Sequence, residues 1–409
     1  MVDFSCSTNR THVQSETEPI VFVAIDLFED QATVVQPQRL NICLTIDCSG
    51  SMHGEKIEQA KQSALILARS LSPNDLISIV SFEGRVKVEL GPTPASELDR
   101  IEHVINSIRL GSATCLYGGI KQAQKVISQN SQSTVSRIIL LTDGVPTDND
   151  NPDDYVSKCN EIRRNGVTVS PIGIGAKYNE NLLLQIADSG GGEWMHVTNP
   201  HVDLPNFLRE QVDDMRATVA VSPQLKFKLI PGAEVLEFYS MKPVLTKLKL
   251  PERKDDQYAI LLHDLVKGQD QTIVFKIKLP SQQSGDYTLM NADIVGRKMD
   301  IPISYTDDPS LYNVESDANP RILLETALGA TLLRQGIDGD TVAMDQATKI
   351  LDYIALQQPT LALDQSTKAI VSNVQNLEGQ THVAGNLSEE QKKDLKHGTT
   401  IIGSKGNKA

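Results

Sequence analysis

The sequence predicts an α/β fold: a doubly wound, mainly parallel sheet inserted in an all-β sandwich and followed by a C-terminal helical segment. Three observations carry this. From Leu40 to Met215, short apolar runs alternate with helical stripes, the pattern of a parallel sheet covered on both faces. From Thr218 to Tyr305 the period changes to two, and short strands follow one another at the spacing of a sandwich. Before Leu40 lie β-branched runs that the α/β alternation does not use and that need a partner sheet.

In chain order, residues 1–18 are polar and read as a loose N-terminal tail. Pro19 to Asp26 is a strand, and Gln31 to Gln36 a second one ending at Pro37, so residues 19–39 complete the sandwich. Leu40 to Ile46 is a short run rich in apolar and β-branched residues, which suits a strand buried on both faces, a buried helix turn being the alternative that periodicity alone leaves open. The helix from about Gly54 to Leu71 carries Ile57, Ala60, Ala64, Leu67, Ala68 and Leu71 on one stripe. Asp75 to Phe82 is the next strand and Arg85 to Leu90 an antiparallel edge strand. Thr93 offers an N-cap, with Pro94 at the first helical position, for a helix to about Arg109. Leu116, Ile120, Ala123 and Ile127 mark another helix. Arg137 to Thr142 is a strand, Asn151-Pro152 opens a helix that Gly166 stops, and Val167 to Ile174 is a strand. A short helix at Glu180 to Asp188, a strand at Trp194 to Val197 and a closing helix at Leu204 to Met215 end the α/β region, residues 40–215. Residues 216–306 form the sandwich and 307–397 a helical region, with helices opening at Asn319-Pro320, Thr341 and Leu361 and a capping box at Ser388 and Gln391. Residues 398–409 read as a disordered tail.

The stretch LNICLTIDCSGSM, Leu40 to Met52, concentrates the chemistry. Asp47, Ser49 and Ser51 alternate in the loop leaving the carboxyl end of a buried strand, which is where open α/β sheets bind ligands. One carboxylate and two hydroxyls within five residues suit a small hard cation that takes oxygen ligands. The same loop could instead do no more than cap the next helix.

D-C-S-G-S resembles the D-x-S-x-S signature of the von Willebrand factor A (VWA) domain, whose metal ion-dependent adhesion site is called MIDAS. Gly111-Ser112-Ala113-Thr114 resembles that family's threonine loop, and Leu141-Thr142-Asp143-Gly144 its aspartate loop. The resemblance covers about Leu40 to Met215 and implies a Rossmann-like sheet. More loosely, the whole chain resembles cytoplasmic-type VWA proteins in which the A domain is embedded in a β-sandwich and followed by helices. The resemblance implies a metal set of Asp47, Ser49, Ser51, Thr114 and Asp143, holding Mg2+ by preference, with Mn2+ or Ca2+ as alternatives. It also implies recognition in which an Asp or Glu of a partner protein completes the metal shell. In relatives the threonine and aspartate exchange direct for water-mediated contact, which would couple binding here to movement of the helix near Leu204 to Met215.

Other residues read more plainly. Asp148, Asp150, Asp153 and Asp154 crowd one loop, but the EF-hand pattern fails at Pro152, so a solvated, helix-capping loop is the better reading. His53 is expected on the solvent rim, Trp194 in the core, and Cys48 and Cys115 as small filler beside metal ligands rather than a redox pair.

The bulk numbers set limits. The 409 residues allow two or three domains, and 40% hydrophobic with 22% charged residues is ordinary for a globular protein. A net charge of −13 with no basic stripe argues against nucleic-acid binding. No apolar run approaches the roughly 18–20 residues that cross a bilayer. The N-terminus lacks an apolar signal segment, and the five cysteines are scattered, so a reduced, cytoplasmic protein is expected. No G-x-S-x-G elbow, H-E-x-x-H or Walker A motif is present. The expectation is a non-enzymatic, metal-dependent protein-binding module of unspecified oligomeric state. The alternatives are a hydrolase or other enzyme using the metal face, and a scaffold binding through its sandwich and C-terminal helices.

Overall fold

The computed structural model describes residues 2–29, 38–130, 134–175, 177–250, 253, 257–383 and 387–400. The chain divides into two compact units, Val34–Ser222 and a second made of Met1–Thr33 with Pro223–Ala409.

The first unit is the α/β one. Its strands are β4 (Arg39–Asp47), β5 (Leu76–Phe82), β6 (Val86–Pro94), β7 (Thr134–Thr142), β8 (Val167–Ile174) and β9 (Met195–Val197), numbered after three strands of the other unit. They form one sheet in the order β6-β5-β4-β7-β8-β9. All neighbours are parallel except the edge strand β6. Its helices are α1 (Glu55–Ser70), α2 (Leu98–Ser107), α3 (Leu116–Ile127), α4 (Pro152–Arg164), α5 (Glu180–Gly190) and α6 (Asp203–Arg216).

Burial on both faces explains why β4 is rich in apolar residues. Leu40, Ile42, Leu44 and Ile46 point into a core shared with α1, α2 and α6. Cys43 points into the opposite core, built with α3, α4 and α5. The expected stripe on α1, from Ile57 to Leu71, lies wholly in the first core, and Leu116, Ile120, Ala123 and Ile127 lie in the second. Trp194 is buried there too.

One local expectation fails. Thr93-Pro94 does not open a helix: β6 pairs with β5 as far as Leu76↔Pro94, and α2 starts at Leu98. The ladder with β5 overrides the local signal. Pro94 ends an edge strand, where its missing N–H is tolerated, and the Thr93 hydroxyl donates to the Gly91 carbonyl (2.8 Å).

The second unit has two five-stranded sheets. One runs β1-β3-β16-β12-β13, from β1 (Val2–Thr8), β3 (Ile20–Glu29), β16 (Gln271–Lys278), β12 (Glu234–Lys242) and β13 (Thr246–Lys247). The other runs β14-β11-β17-β18-β2, from β14 (Tyr258–Leu261), β11 (Gln224–Leu229), β17 (Gly285–Ile294), β18 (Arg297–Thr306) and β2 (His12–Gln14). A short strand, β15 (Leu265–Val266), completes this unit, and another, β10 (Thr218–Ala220), ends the first. Phe275 of β16 meets Phe227 of β11 edge-on at 5.4 Å between ring centroids, so the two sheets share an aromatic core. β3 pairs antiparallel with β16 from Ile20↔Lys278 to Leu27↔Gln271. The second strand expected before Leu40, at Gln31 to Gln36, lies outside the described residues.

Residues 1–18 are not a loose tail. β1 pairs with β3 and β2 with β18. Val2, Phe4 and Val13 are buried, and they hold an otherwise polar stretch in the sandwich because one face of each strand is apolar. The helices after the sandwich are α7 (Pro309–Tyr312), α8 (Asn319–Ile337), α9 (Thr341–Gln357), α10 (Gln365–Val383) and α11 (Glu389–Thr400). Ile322, Leu323, Ala327 and Ala330 of α8 share a core with Ala24, Tyr239, Met241 and Val274, so α8 covers the outer face of the β3–β16–β12 sheet. The capping box at Ser388 and Gln391 forms, with both reciprocal bonds present (2.9 and 3.2 Å). Residues 398–400 are not part of a disordered tail. α11 continues to Thr400, whose carbonyl accepts from the Leu245 N–H (2.8 Å), and Thr399 and Thr400 are buried. Residues 401–409 lie outside the described set.

Candidate metal centre

Asp47 is the last residue of β4, the central strand, and is fully buried. One carboxylate oxygen accepts from the Ser49 N–H (2.8 Å) and the other from the Thr142 hydroxyl (2.6 Å). Burial pushes the Asp47 carboxyl above the usual aspartate range; the bonds from Thr142 and Ser49 oppose this, and the Asp143 charge adds to it.

A single 3₁₀ turn, Gly50–Met52, follows, with the Met52 N–H donating to the Ser49 carbonyl (3.1 Å). Gly54 at φ +79° then turns the chain into α1, a conformation that β-carbon-bearing residues resist. The turn brings the Ser49 and Ser51 hydroxyls to 3.0 Å from each other, and Ser51 donates to Asp143 Oδ1 at 2.6 Å. Asp143 directly follows β7. Its Oδ2 accepts from the Lys56 ammonium, an ion pair between the first turn of α1 and the aspartate loop.

Thr114 sits on the loop between α2 and α3, and two ties fix that loop. The Gly111 N–H donates to the Cys48 carbonyl (2.7 Å). Thr114 and Thr147 exchange two bonds: the Thr114 N–H donates to the Thr147 hydroxyl (3.1 Å), and the Thr147 N–H to the Thr114 carbonyl (2.9 Å). Gly144 is the point where the three loops meet. A β-carbon there would lie 3.2 Å from Thr114 Oγ1 and 3.5 Å from Ser51 Oγ, so its bare backbone lets both hydroxyls close in. All five residues expected at the site are thus brought together at the carboxyl end of the sheet.

The donor set is two carboxylates and three hydroxyls, with no histidine or thiol in it. Among the described residues no group of three or more His, Cys, Asp or Glu side chains could hold a metal. Such a set fits a small, oxygen-seeking cation and not zinc-type N/S coordination.

The neighbouring acidic loop caps helices. Asp148 accepts from the Tyr117 and Gly118 N–H groups (3.3 and 2.8 Å) in the first turn of α3, and Asn151 caps α4 through the Asp153 N–H (3.2 Å). His53 is exposed. Cys48 and Cys115 are free thiols, and burial pushes both up, Cys48 to about 12, so neither is a ready thiolate. The sequence reading missed Thr142 as a donor to Asp47, Thr147 as the lock between loops, and Lys56. Only Lys56 carries a local signal: a cation in the first turn of a helix opposes the helix dipole.

Residues 41–210 match the family model of the von Willebrand factor type A domain, and the α/β unit is a VWA domain. Among curated proteins the chain is 29% identical over 197 residues to Uncharacterized protein sll0103 of Synechocystis sp., covering 48% of this chain and 46% of that one. It is 27% identical over 240 residues to Uncharacterized protein YfbK of Escherichia coli, covering 58% and 41%. The chain thus spans less than half the length of these relatives. The structure of a von Willebrand factor type A protein from Catenulispora acidiphila superposes over 98% of this chain and 96% of that one, with a TM-score of 0.79 at 16% identity, a likeness of fold. Among the described residues no helix is long and apolar enough to cross a membrane.

Proposed function

We propose that the VWA domain is a non-enzymatic, divalent-metal-dependent protein-binding module. Asp47, Ser49, Ser51, Thr114 and Asp143 would hold the cation, Mg2+ by preference, with Mn2+ or Ca2+ as alternatives. The observation that supports this most is the convergence of three loops on one cluster of five oxygen-bearing side chains, closed around Gly144.

The bound cation would supply an electrophilic centre that accepts a carboxylate oxygen. The chain's part is to set the charge balance. Two carboxylates alone neutralise a divalent ion only formally, and the three hydroxyls add no charge. An Asp or Glu of a partner protein is therefore a favourable last ligand, whereas a cage of four carboxylates would repel it. Thr142 and the Ser49 N–H hold Asp47 in place, and Ser51 orients Asp143. All five cysteines are free, which fits the cytoplasmic reading.

The test is a pull-down from lysate with and without EDTA, followed by titration of the captured partner. Ser49→Ala deletes one hydroxyl and should abolish divalent-dependent binding at a stability cost within about 1 kcal/mol. Asp150→Ala, on the capping loop, should bind as the wild type does. Binding that survives both EDTA and Ser49→Ala would rule out the metal bridge and point to the sandwich or the C-terminal helices.

A further inference from the structure

We propose that Lys56 is a tethered counter-cation of the metal site: its ammonium holds Asp143 while no metal is bound, and an incoming divalent ion must displace it. The inference rests on the metal-site reading above and adds to it a residue that sets metal affinity.

The Asp143 side chain has 0% exposure and that of Lys56 31%, so a buried carboxylate meets an ammonium that reaches in from the rim. Asp143 Oδ1 is already satisfied by Ser51, and Oδ2 takes Lys56. Left without that partner, a buried carboxylate is strongly unfavourable. The Lys56 stem is also seated. A β-carbon on Gly175, which has φ +71°, would lie 3.7 Å from Cε and 3.8 Å from Nζ, so the stem packs over the bare turn after β8. Lysine has nothing to gain from its place in the chain. It stands in the first turn of α1, behind Gly54 with no side-chain cap, where the helix dipole disfavours a cation. Its reward is the contact with Asp143.

Formal charge then gives the contact a direction. Asp47, Asp143 and Lys56 together leave one net negative charge. A divalent ion reverses this to one positive charge, and one carboxylate brings it to zero. Lys56 thus weakens the bare metal site and favours an anionic last ligand. Because Lys56 belongs to α1, metal uptake frees the first turn of that helix from the aspartate loop.

The experiment titrates Mn2+ alone into the full chain by isothermal calorimetry. It compares wild type, Lys56→Met, Lys56→Gln, Lys56→Arg and Asp143→Ala, and takes melting curves of each with and without Mn2+. Lys56→Met and Lys56→Gln should bind Mn2+ about tenfold more tightly than wild type, ~1.4 kcal/mol. They should also melt lower without metal and gain more on adding it. Lys56→Arg keeps the charge and should stay within about threefold of wild type. Asp143→Ala should lose the ion. A wild type that binds Mn2+ while Lys56→Met and Lys56→Gln bind it no more tightly overturns the inference alone. A wild type that takes up no Mn2+ overturns the metal-site reading and the inference with it. Because the melting curves are also read at saturating Mn2+, a neutral variant unstable only without metal is still scored.

Discussion

Thr142→Val probes what holds the central aspartate. Valine keeps the β-branched shape of threonine at the end of β7 and removes only the hydroxyl. That hydroxyl donates to Asp47 Oδ2 at 2.6 Å and accepts from the Gly144 N–H at 3.3 Å. Both Thr142 and Asp47 are fully buried, so water cannot replace the lost donor. A hydrogen bond to a charged group contributes about 1.5–3 kcal/mol, and a buried acceptor left bare costs a similar amount, so the expected loss is about 2–3 kcal/mol. For a unit of this size that is a fall in melting temperature of roughly 5–10 °C. The assay is urea unfolding in EDTA followed by circular dichroism, repeated with excess Mg2+. On the proposed metal site the loss should shrink with Mg2+, because the cation would give the Asp47 carboxylate a new counter-charge. A loss under about 0.5 kcal/mol in EDTA would refute the reasoning, since it would mean that Asp47 does not depend on this donor.

Two further outcomes follow from other groups of the α/β unit. Glu193, just before β9, is pushed up to about 7 by burial, with the Asp214 and Glu210 charges adding and Arg137 and Gln211 opposing. The folded state therefore binds an extra proton between the ordinary glutamate value of 4.5 and about 7, so stability is fully present at the acid end and falls as pH rises through that window. Glu193→Gln should flatten this slope and be more stable by about 1–2 kcal/mol above neutral pH, as read from unfolding at several pH values; an unchanged slope would count against it. Asp148→Ala removes the carboxylate that accepts from two N–H groups at the start of α3, and should cost about 0.5–2 kcal/mol while leaving Mn2+ affinity unchanged.

The legible parts of the sequence are those fixed by local pattern. β4 is covered by two helical layers, and that shows as a run rich in apolar residues, Leu40, Ile42, Cys43, Leu44 and Ile46, broken only by the buried Asn41 and Thr45. Of the five proposed site residues, Asp47, Ser49, Ser51 and Asp143 lie at or just beyond the ends of β4 and β7, whereas Thr114, on the loop between α2 and α3, was legible only through its resemblance to the family's threonine loop. What escaped depends on pairing between distant segments. β1 has only Val2 and Phe4 to mark its buried face, and its polar remainder reads as a tail until β3 lies beside it. Thr93-Pro94 has the chemistry of a helix start, and only the ladder with β5 excludes one. The bond from Thr142 to Asp47 and the lock between Thr114 and Thr147 join different loops, whose register no single stretch encodes.

The antiparallel pairing of β3 with β16 also sets an order of events on the ribosome. The strand that ends at Glu29 cannot meet its partner until synthesis has passed Lys278, by which time the whole of Val34–Ser222 has emerged. Domains fold as units while the chain grows, so the VWA domain is complete while β1 and β3 still wait with one open edge. Those two strands are exposed to mispairing in the meantime, because pairings distant in sequence form late. Mutations that slow translation between Ser222 and Lys278 should therefore lower the yield of folded protein more than the same delay placed after β18.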